Sequence, residues 1–292
     1  MAVTFENKDE IRDLLQEYVN RYESIPKAAN TLNQVSASTI RTVLKGGDYP
    51  NISDEMWRNI RSQLGGKKQG DWVLVETPVI NDLTFFFQET QEDMDFSWAV
   101  SSQGSGKTEA ALKYVRANKN VFYVLCDEDM SKSDFAQELA RAIGLRINTQ
   151  KKARSIIMEV IQELSEMESP LIIFDEGDKL KDNILYYFIT IYNRLKDYSG
   201  VAFLSTDYMK KRMESGLNHN KKGFKEIWSR IGSKFYEVDK NEAFHIDLIC
   251  RANGLTNPTS ISSVVKDAEK ASFDLRRASK KIKKIRKKEK VA

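Results

Sequence analysis

A short stretch with small residues and one lysine has the pattern of a phosphate-binding loop. An apolar run, Phe96–Val100, predicts a buried strand, and a helical pattern follows the loop. Gly104 and Gly106 would let backbone N–H groups close around a phosphate, and the start of the helix adds its positive dipole end. Lys107 would reach the β- and γ-phosphates of a nucleotide, and the Thr108 hydroxyl would bind Mg²⁺.

The loop departs from the usual pattern at its first position. The pattern begins with glycine six residues before the lysine, and this chain has Ser101 there. We expect little cost if the local backbone does not need a positive φ. A Gly/Ser-rich surface turn is the alternative, but the place between strand and helix favours a phosphate site. The predicted nucleotide-binding residues are Gln103, Gly104, Ser105, Gly106, Lys107, Thr108 and Glu109.

Two adjacent carboxylates follow a second apolar run, Leu171–Phe174. Asp175, at the end of the strand, would hold Mg²⁺ through water. Glu176 would orient and deprotonate the water that attacks the γ-phosphate. Either acid alone is an ordinary residue at the end of a strand. Together with the upstream loop, they predict an ATPase that uses ATP and Mg²⁺.

The composition is that of a globular protein. The chain has 292 residues, of which 41% are hydrophobic and 30% are charged. No apolar run approaches the roughly 20 residues that span a bilayer, so we expect no membrane partner. The N-terminus lacks a basic region and an apolar signal core, which predicts a cytoplasmic protein. Cys126 and Cys250 stand alone at apolar positions, which favours reduced core residues over a disulfide or a metal site.

The charge is unevenly distributed along the chain. The segment Lys280–Lys290 contains eight basic residues and one acid, whereas the whole chain carries a net charge of only +4. The remainder is therefore mildly acidic. A basic tail on such a body predicts a polyanionic partner, and a tail that is only solvated is the alternative.

The N-terminal region predicts a group of short helices. An amphipathic helix over Lys8–Tyr22 precedes two segments with the pattern of a helix-turn-helix, and another helix is expected around Asp54–Leu64. Pro26 would begin the first short helix. Asn33 would take the left-handed position of the turn, and Ser36 would cap the second helix.

The second helix of this pair would turn polar side chains outward. Ile40 and Val43 would face the core, which leaves Ser38 and Arg41 at positions that could read a DNA groove. We therefore predict that Ser38 and Arg41 contact DNA. The outer face has few Arg or Lys, which argues against sequence-specific readout, and a protein-docking domain of the same shape is the alternative.

The rest of the chain alternates strands with helices. Strands are expected at Phe96–Val100, Val121–Cys126, Leu171–Phe174, Val201–Leu204 and Lys234–Val238. This alternation predicts an α/β fold with a doubly wound, mostly parallel five-stranded sheet and ligands at the carboxyl ends of the strands. The predicted domains are a helix-turn-helix domain at 1–65, a linker at 66–79, a P-loop ATPase core at 80–240 and a small helical lid with the basic tail at 241–292.

These motifs resemble those of AAA+ ATPases. The order of the domains narrows the resemblance to the transposition B proteins of Mu-type phages, target-capture ATPases that also join an N-terminal helix-turn-helix domain to an AAA+ module. The matching stretches are Val75–Thr77, Gly106–Ala110, Leu171–Leu180 and Trp228–Ile231. The resemblance covers nearly the whole chain, and only its nucleotide motifs are highly specific.

The resemblance implies roles for three further residues. Thr206, at the end of the fourth strand, falls at the polar sensor position, where many AAA+ proteins have Asn. Arg230 would be the finger that reaches the γ-phosphate of a neighbouring subunit. Arg276 would be the second sensor, with Arg277 as the fallback. A surface ion pair is the alternative role for each arginine.

A finger that acts on a neighbour requires oligomerisation. The resemblance implies a homo-oligomer, either a helical filament or a ring, on double-stranded DNA in a bacterial or phage-infected cell, with a transposase as partner. DNA phosphates would be contacted by Lys132, Lys151, Lys152 and Arg154.

We therefore expect an ATP-dependent, largely sequence-nonspecific DNA-binding ATPase that selects target DNA and delivers it to a transposase in DNA transposition. A replicative helicase loader with the same ATPase core is the nearest alternative. A DNA-binding regulator in which ATP is only a switch is the alternative from another class.

Overall fold

A five-stranded parallel sheet organises the molecule. The computed structural model describes residues 5–47, 51–64, 72–146 and 148–289. The strands are β1 (Phe96–Val100), β2 (Val121–Leu125), β3 (Leu171–Asp175), β4 (Gly200–Ser205) and β5 (Tyr236–Glu237). Their order across the sheet is β2-β3-β4-β1-β5, and every pair is parallel. The predicted α/β class and doubly wound parallel sheet are confirmed.

Helices connect the strands and extend the chain at both ends. They are α1 (Phe5–Val19), α2 (Ile25–Thr31), α3 (Ala37–Lys45), α4 (Asp54–Gln63), α5 (Pro78–Glu92), α6 (Lys107–Ala117), α7 (Lys132–Ala142), α8 (Ala153–Ser165), α9 (Asp182–Leu195), α10 (Tyr208–Asn218), α11 (Phe224–Arg230), α12 (Ala243–Ala252), α13 (Pro258–Glu269) and α14 (Leu275–Glu289). None of the described helices is long and apolar enough to cross a membrane.

The strand order brings three chain segments to one edge of the sheet. β4 lies between β1 and β3, with Val100 opposite Ser205 and Phe174 opposite Phe203. All five residues of β3 are buried, as expected for a parallel strand covered on both faces. Because parallel strands end at the same edge, the segments that follow β1, β3 and β4 lie beside one another there.

An aromatic cluster fills the space between one face of the sheet and its helices. Phe203 of β4 stacks on Trp98 of β1, with ring centroids 4.4 Å apart, and on Phe174 of β3 at 5.2 Å. Phe188 of α9 meets Phe203 edge-on at 4.5 Å. All four rings are buried, so this cluster ties three central strands to one covering helix.

The N-terminal helices have a hydrophobic core of their own. It contains Ile11, Leu15, Val19, Ala28, Ala29, Leu32, Val35, Ile40, Val43, Trp57 and Ile60. Pro26 lies in the first turn of α2, and the Ser36 hydroxyl accepts a hydrogen bond from the Thr39 N–H at 3.1 Å. The predicted helix start and cap are thus confirmed, and Ile40 and Val43 face inward as expected.

The turn between α2 and α3 differs from the prediction in one residue. Gln34, and not Asn33, adopts the left-handed conformation, with φ of 58°. Asn33 instead offers its backbone to α4: its N–H donates to the Gln63 side chain at 2.6 Å, and its carbonyl accepts from Asn59 and Gln63. These long-range bonds hold Asn33 in place and move the left-handed residue one position along.

Helix α2 attaches the N-terminal core to the predicted ATPase core, residues 80–240. The Asn30 side-chain amide donates to the Gly144 carbonyl at 2.9 Å, and Lys27 forms an ion pair with Glu163 of α8. Gly144 has φ of +82°, and a Cβ there would lie 2.8 Å from the Lys27 carbonyl oxygen. Glycine is therefore required at this approach for both conformation and space.

The last three helices pack around a small separate core to which an extended segment adds. The buried side chains of α12, α13 and α14 include Ile246, Val264 and Ile282, and Trp72 packs against them. The Asn253 side chain forms two hydrogen bonds with the backbone of Val73, at 2.9 and 3.0 Å. Of the predicted linker at 66–79, residues 66–71 lie outside the described part of the chain.

Phe203→Ala should lower the free energy of unfolding of the ATPase core by about 3–5 kcal/mol, because it leaves a cavity among three aromatic rings. Urea unfolding followed by tryptophan fluorescence measures this change. Phe85→Ala, at a side chain that is 55% exposed, is the matched control and should change stability by less than about 0.5 kcal/mol. Equal midpoints for the two variants would contradict the role given to the cluster.

Candidate nucleotide site

The loop between β1 and α6 has the backbone conformation that a phosphate site needs. Gly104 and Gly106 have φ of 72° and 112°, and Gly106 caps the start of α6 in a left-handed conformation. Ser101 is buried and is not among the residues with positive φ, and its N–H donates to the Ser205 carbonyl of β4 at 3.2 Å. Serine therefore fits at this first loop position without strain.

The Lys107 side chain folds back over the loop. Its ammonium donates to the carbonyl oxygens of Ser101 and Ser102, each at 2.9 Å. Burial lowers the pKa of Lys107, while the carboxylates of Asp175 and Asp178 oppose that shift. A bound phosphate would place further negative charge next to this ammonium, which would also oppose the lowering of its pKa. Two hydrogen bonds thus hold the Lys107 ammonium next to the loop.

Asp175 joins the loop to the strand that carries the two acids. Its Oδ2 accepts hydrogen bonds from the Thr108 hydroxyl at 2.7 Å and from the Tyr123 hydroxyl at 3.0 Å. Its Oδ1 accepts from the Glu176 N–H at 2.9 Å. Both oxygens of a carboxylate that is only 1% exposed are therefore occupied. Burial and the neighbouring Asp175 raise the pKa of Tyr123, which keeps its hydroxyl protonated as a donor.

The oxygen atoms of Thr108 and Asp175 are suited to Mg²⁺. This ion prefers oxygen ligands, and in phosphate sites it is held by one or two protein groups together with the phosphates. The 2.7 Å contact shows that the hydroxyl and the carboxylate already lie side by side. Mg²⁺ bound there would neutralise negative charge on the β- and γ-phosphates.

Glu176 occupies an unusual backbone conformation. Its φ of 56° and ψ of 38° are left-handed, and a single 3-10 turn follows it over Gly177–Lys179. The carboxylate forms an ion pair with Lys179. A partly exposed pair of this kind contributes little free energy, so Glu176 can exchange it for a water molecule.

Thr206 contacts the same turn from the neighbouring strand end. Its hydroxyl donates to the Asp178 carboxylate at 2.7 Å. Arg212 of α10 donates to the carbonyl oxygens of Asp178 and Leu180 at 2.9 and 2.7 Å, which holds the turn from the other side. The turn Gly177–Lys179 thereby links the two residues, because Thr206 binds Asp178 within it and Glu176 directly precedes it.

The lid contacts the loop directly. The Leu275 N–H, at the start of α14, donates to the Gly104 carbonyl at 2.9 Å, and the Asn241 amide donates to the Ser105 carbonyl at the same distance. The Asp274 side chain lies against Gly104, where a Cβ would come within 2.3 Å of it. The Ser105 hydroxyl and the Asn241 Oδ1 are buried and have no hydrogen-bond partner among the described residues.

The two predicted arginines lie in different surroundings. Arg276 is exposed in the first turn of α14, next to Leu275, whose N–H donates to the Gly104 carbonyl of the loop, and its positive charge helps to lower the pKa of Lys107. Arg277 forms an ion pair with Asp267 at 2.8 Å, which leaves Arg276 as the arginine next to the loop. Arg230 contacts Glu226, Asn193 and the Tyr192 ring, none of which belongs to the phosphate site.

The residues predicted to contact DNA lie on several separate elements. Lys132 begins α7 and lies over the Tyr187 ring, with its ammonium 5.8 Å from the centroid. Lys151 forms an ion pair with Glu159 at 2.5 Å. Lys152 and Arg154, at the start of α8, are exposed, as are Ser38 and Arg41 on α3.

Several site residues were missed by sequence reasoning. Tyr123 contacts Asp175, Asn241 and Asp274 contact the loop, and none of the three was predicted. Asp178 and Arg212, which contact each other in the turn after the acids, were not predicted either. Helices α10 and α11 were also missed. A helical spacing of apolar residues was present in both, with Met209 and Met213 buried in α10 and Phe224 and Ile227 buried in α11. Asp274 precedes a helical run, where Asp is a favoured N-cap.

Gly104→Ala should lower affinity for a fluorescent ATP analogue by at least about tenfold, because the new Cβ displaces Asp274 and the start of α14 from the loop. Gly232→Ala is the matched control. It has nearly the same φ, +71°, and open space around it. Titrations of both variants that gave the same affinity would show that the contact between lid and loop is dispensable.

Comparisons with known proteins agree with this geometry. Residues 96–205 match the family of AAA domains. The Aeropyrum pernix ORC2 protein, in ADPNP–ADP complexes, matches with a TM-score of 0.53 and 12% identity over 73% of this chain and 62% of that chain. The Aeropyrum pernix ORC1 protein, in complex with DNA, matches with a TM-score of 0.51 and 16% identity over 71% of this chain and 58% of that chain. No curated protein matches the sequence.

The likeness to solved structures and the family match each apply to part of the chain. At such identities the likeness to the two solved structures shows the fold alone, and the chain spans less than two thirds of their length. The family match covers the segment from the start of β1 to the end of β4, which includes the loop, Lys107, Thr108, Asp175 and Glu176. Residues 96–205 of this chain are therefore similar to an AAA domain.

Proposed function

We propose that the protein is an ATPase that oligomerises on double-stranded DNA in an ATP-dependent way, selects target DNA with little sequence preference and delivers it to a transposase. The observation that carries the ATPase part is the hydrogen bond between Thr108 and Asp175, because it joins the phosphate loop to the acidic strand end. The AAA domain match supports the same activity.

The residues of the loop would bind ATP. Backbone N–H groups of Gln103 to Gly106 would surround the β-phosphate, Lys107 would contact the β- and γ-phosphates, and Glu109 would stand in the first turn of α6. Arg276 would contact the phosphates from the lid. Thr108 and Asp175 would hold the Mg²⁺ that accompanies the nucleotide.

Hydrolysis would use Glu176 as the general base. Its carboxylate would take a proton from water as the water oxygen bonds to the γ-phosphorus, and the bond from that phosphorus to the ADP oxygen would break. Thr206 would help to place the water from the adjacent strand end. ADP and inorganic phosphate would be the products.

Assembly would complete the site. Arg230 ends α11 away from its own loop, as a finger that serves a neighbouring subunit would. A filament or ring of subunits would then bind ATP at each interface and release DNA after hydrolysis. We propose Lys132, Lys151, Lys152 and Arg154, together with Ser38 and Arg41, as DNA contacts.

The transposition role rests on the resemblance of the motifs and of the domain order to the transposition B proteins of Mu-type phages. It is supported by the four N-terminal helices that precede the AAA domain. Delivery to a transposase would take place in the cytoplasm of a bacterial or phage-infected cell. The AAA+ fold that this chain shares with a protein solved in complex with DNA is compatible with the DNA-binding part.

Electron microscopy with long random-sequence duplex DNA tests the proposal. We expect continuous assemblies on the duplex with a slowly hydrolysed ATP analogue and none without nucleotide. Rings that bind only single strands would instead support the helicase loader, and isolated particles at one sequence would support the regulator.

Two variants separate binding from hydrolysis in that experiment. Lys107→Ala should lose assemblies, because the phosphates lose their main cation. Glu176→Gln should keep assemblies with ordinary ATP and lower kcat by about 100-fold or more, because it removes the base without removing a phosphate contact. Rapid turnover by Glu176→Gln, measured as phosphate release, would remove Glu176 from this role.

Arg230→Ala should keep its affinity for ATP and lose most of its ATPase activity, because only the neighbour's arginine is missing. Mixing it with inactive Lys107→Ala should restore part of the activity, since the second variant supplies Arg230 to intact sites of the first. A mixture with no more activity than the two variants apart would contradict a finger supplied by a neighbour.

A further inference from the structure

The last described helix carries an unusual concentration of positive charge. Nine of the fifteen residues of α14 are Lys or Arg, and the single acid, Glu289, is its final residue. The helix is about 21 Å long at 1.5 Å per residue. None of the residues predicted to contact DNA lies on this helix.

The charges of α14 are sorted onto one face. Ala278 and Ile282 are buried in the lid core. Lys280, Lys283, Lys284 and Lys287 lie on the opposite side, where 280/283 and 284/287 are three residues apart and 280/284 and 283/287 are four apart, and all four are exposed. We name these four residues the lysine stripe.

The described part of the chain does not neutralise the lysine stripe. Among the described residues, none of the four forms an ion pair, although Lys283 lies over the Trp72 ring at 5.2 Å from the centroid. In contrast, Lys151 at the start of α8 already pairs with Glu159. The stripe therefore offers positive charge that an external anion could bind.

The geometry of the stripe selects the kind of anion. Because the apolar face of α14 is buried in the lid, the helix has no free apolar face to insert into a bilayer. Lysines in a row provide point charges that suit phosphates, and contacts to phosphates carry no sequence information directly. Duplex DNA, with about one phosphate per 1.7 Å of axis, presents the dense and regular anion that such a row fits.

The same helix begins on the phosphate loop. The Leu275 N–H donates to the Gly104 carbonyl, and the Asp274 carboxylate lies against Gly104 while it caps α14 through the N–H groups of Arg276 and Arg277. Arg276 adds a positive charge beside Lys107. A bound phosphate would change the electrostatic interactions at the first residues of α14. Because α14 is one continuous helix, a shift of these residues would also shift the lysine stripe.

We propose that the lysine stripe binds duplex DNA through its phosphates, and that α14 makes this binding depend on the nucleotide because its first residues rest on the phosphate loop. This inference rests on the proposed function as a DNA-binding ATPase. It adds the binding surface and the physical link between the two ligands.

The test compares a stripe variant with a matched control in the full chain. Lys280→Gln, Lys284→Gln and Lys287→Gln together remove three charges and keep the buried face and good helix formers. Lys283 stays, since it contacts Trp72. The control, Lys119→Gln with Lys196→Gln and Lys211→Gln, removes three charges from exposed lysines elsewhere.

Fluorescence anisotropy with a short labelled random duplex gives the first readout. With a slowly hydrolysed ATP analogue, the stripe variant should bind roughly 10- to 100-fold more weakly than the wild type, and its slope of log affinity against log salt should fall by about 2 to 3. The control should keep the wild-type slope to within about 1. Nucleotide affinity without DNA should be unchanged in both variants.

Reciprocity gives the second readout. In the wild type, the duplex should tighten binding of the ATP analogue by the same factor as the analogue tightens binding of the duplex. In the stripe variant both factors should fall towards one.

Three outcomes would overturn the inference. If the wild type binds no duplex with any nucleotide, the proposed function fails and this inference with it. If the wild type binds and the stripe variant matches it in affinity and slope, only this inference fails. If the stripe variant loses binding to vesicles rich in phosphatidylserine but keeps duplex binding, the stripe serves a membrane surface.

Discussion

The structure depends on hydrogen bonds to one buried carboxylate, Asp175, at the carboxyl ends of the strands. An isolated carboxylate in the position of Asp175 would be strongly unfavourable, because burial removes its hydration. Three donors replace that water: the Thr108 hydroxyl, the Tyr123 hydroxyl and the Glu176 N–H. These donors come from α6, β2 and the turn after β3. The site and the sheet therefore form together, since the carboxylate is satisfied only when all three elements are in place.

The surrounding sheet supplies the rigidity that this arrangement needs. Trp98, Phe174 and Phe203 lie on three adjacent strands and stack on one another, and the Trp98 indole N–H donates to the Ser205 hydroxyl at 2.8 Å. An aromatic stack of this kind allows little sliding of one strand past another. This stack therefore helps to fix the distance between the loop after β1 and the two acids at the end of β3.

Much of this arrangement could be predicted from the sequence because its signals are local. Strand β1 and the loop after it follow from a short apolar run next to glycines, and the bounds of β1 agree with the prediction residue for residue. The pairing of Asp175 with Thr108 follows from parallel strands that end at one edge. The sheet of five parallel strands follows from the alternation of strands with helices. The division into domains at residues 65, 79 and 240 stays a prediction.

The rest depends on contacts between distant parts of the chain. Gln34 adopts the left-handed conformation that was predicted for Asn33, because Asn59 and Gln63 of α4 bind the backbone of Asn33. Asp274 and Asn241 reach the loop from the lid, more than 130 residues further along the chain. No local pattern specifies which loop carbonyl such a side chain will find. Residues of this kind can be identified only when the packing of the elements is known.

The attachment of α2 to the ATPase core has a geometric consequence. Asn30 and Lys27 bind the end of α7 and the side of α8, and α7 follows directly from β2, the strand next to β3. The outward face of α3 therefore keeps a constant orientation relative to its own nucleotide site. In a row of subunits with a regular step, these faces would recur with the period and phase of the sites. A partner that contacts two neighbouring α3 faces at once would fit only the spacing between assembled subunits. Such a partner would therefore bind a row of subunits and not a single subunit.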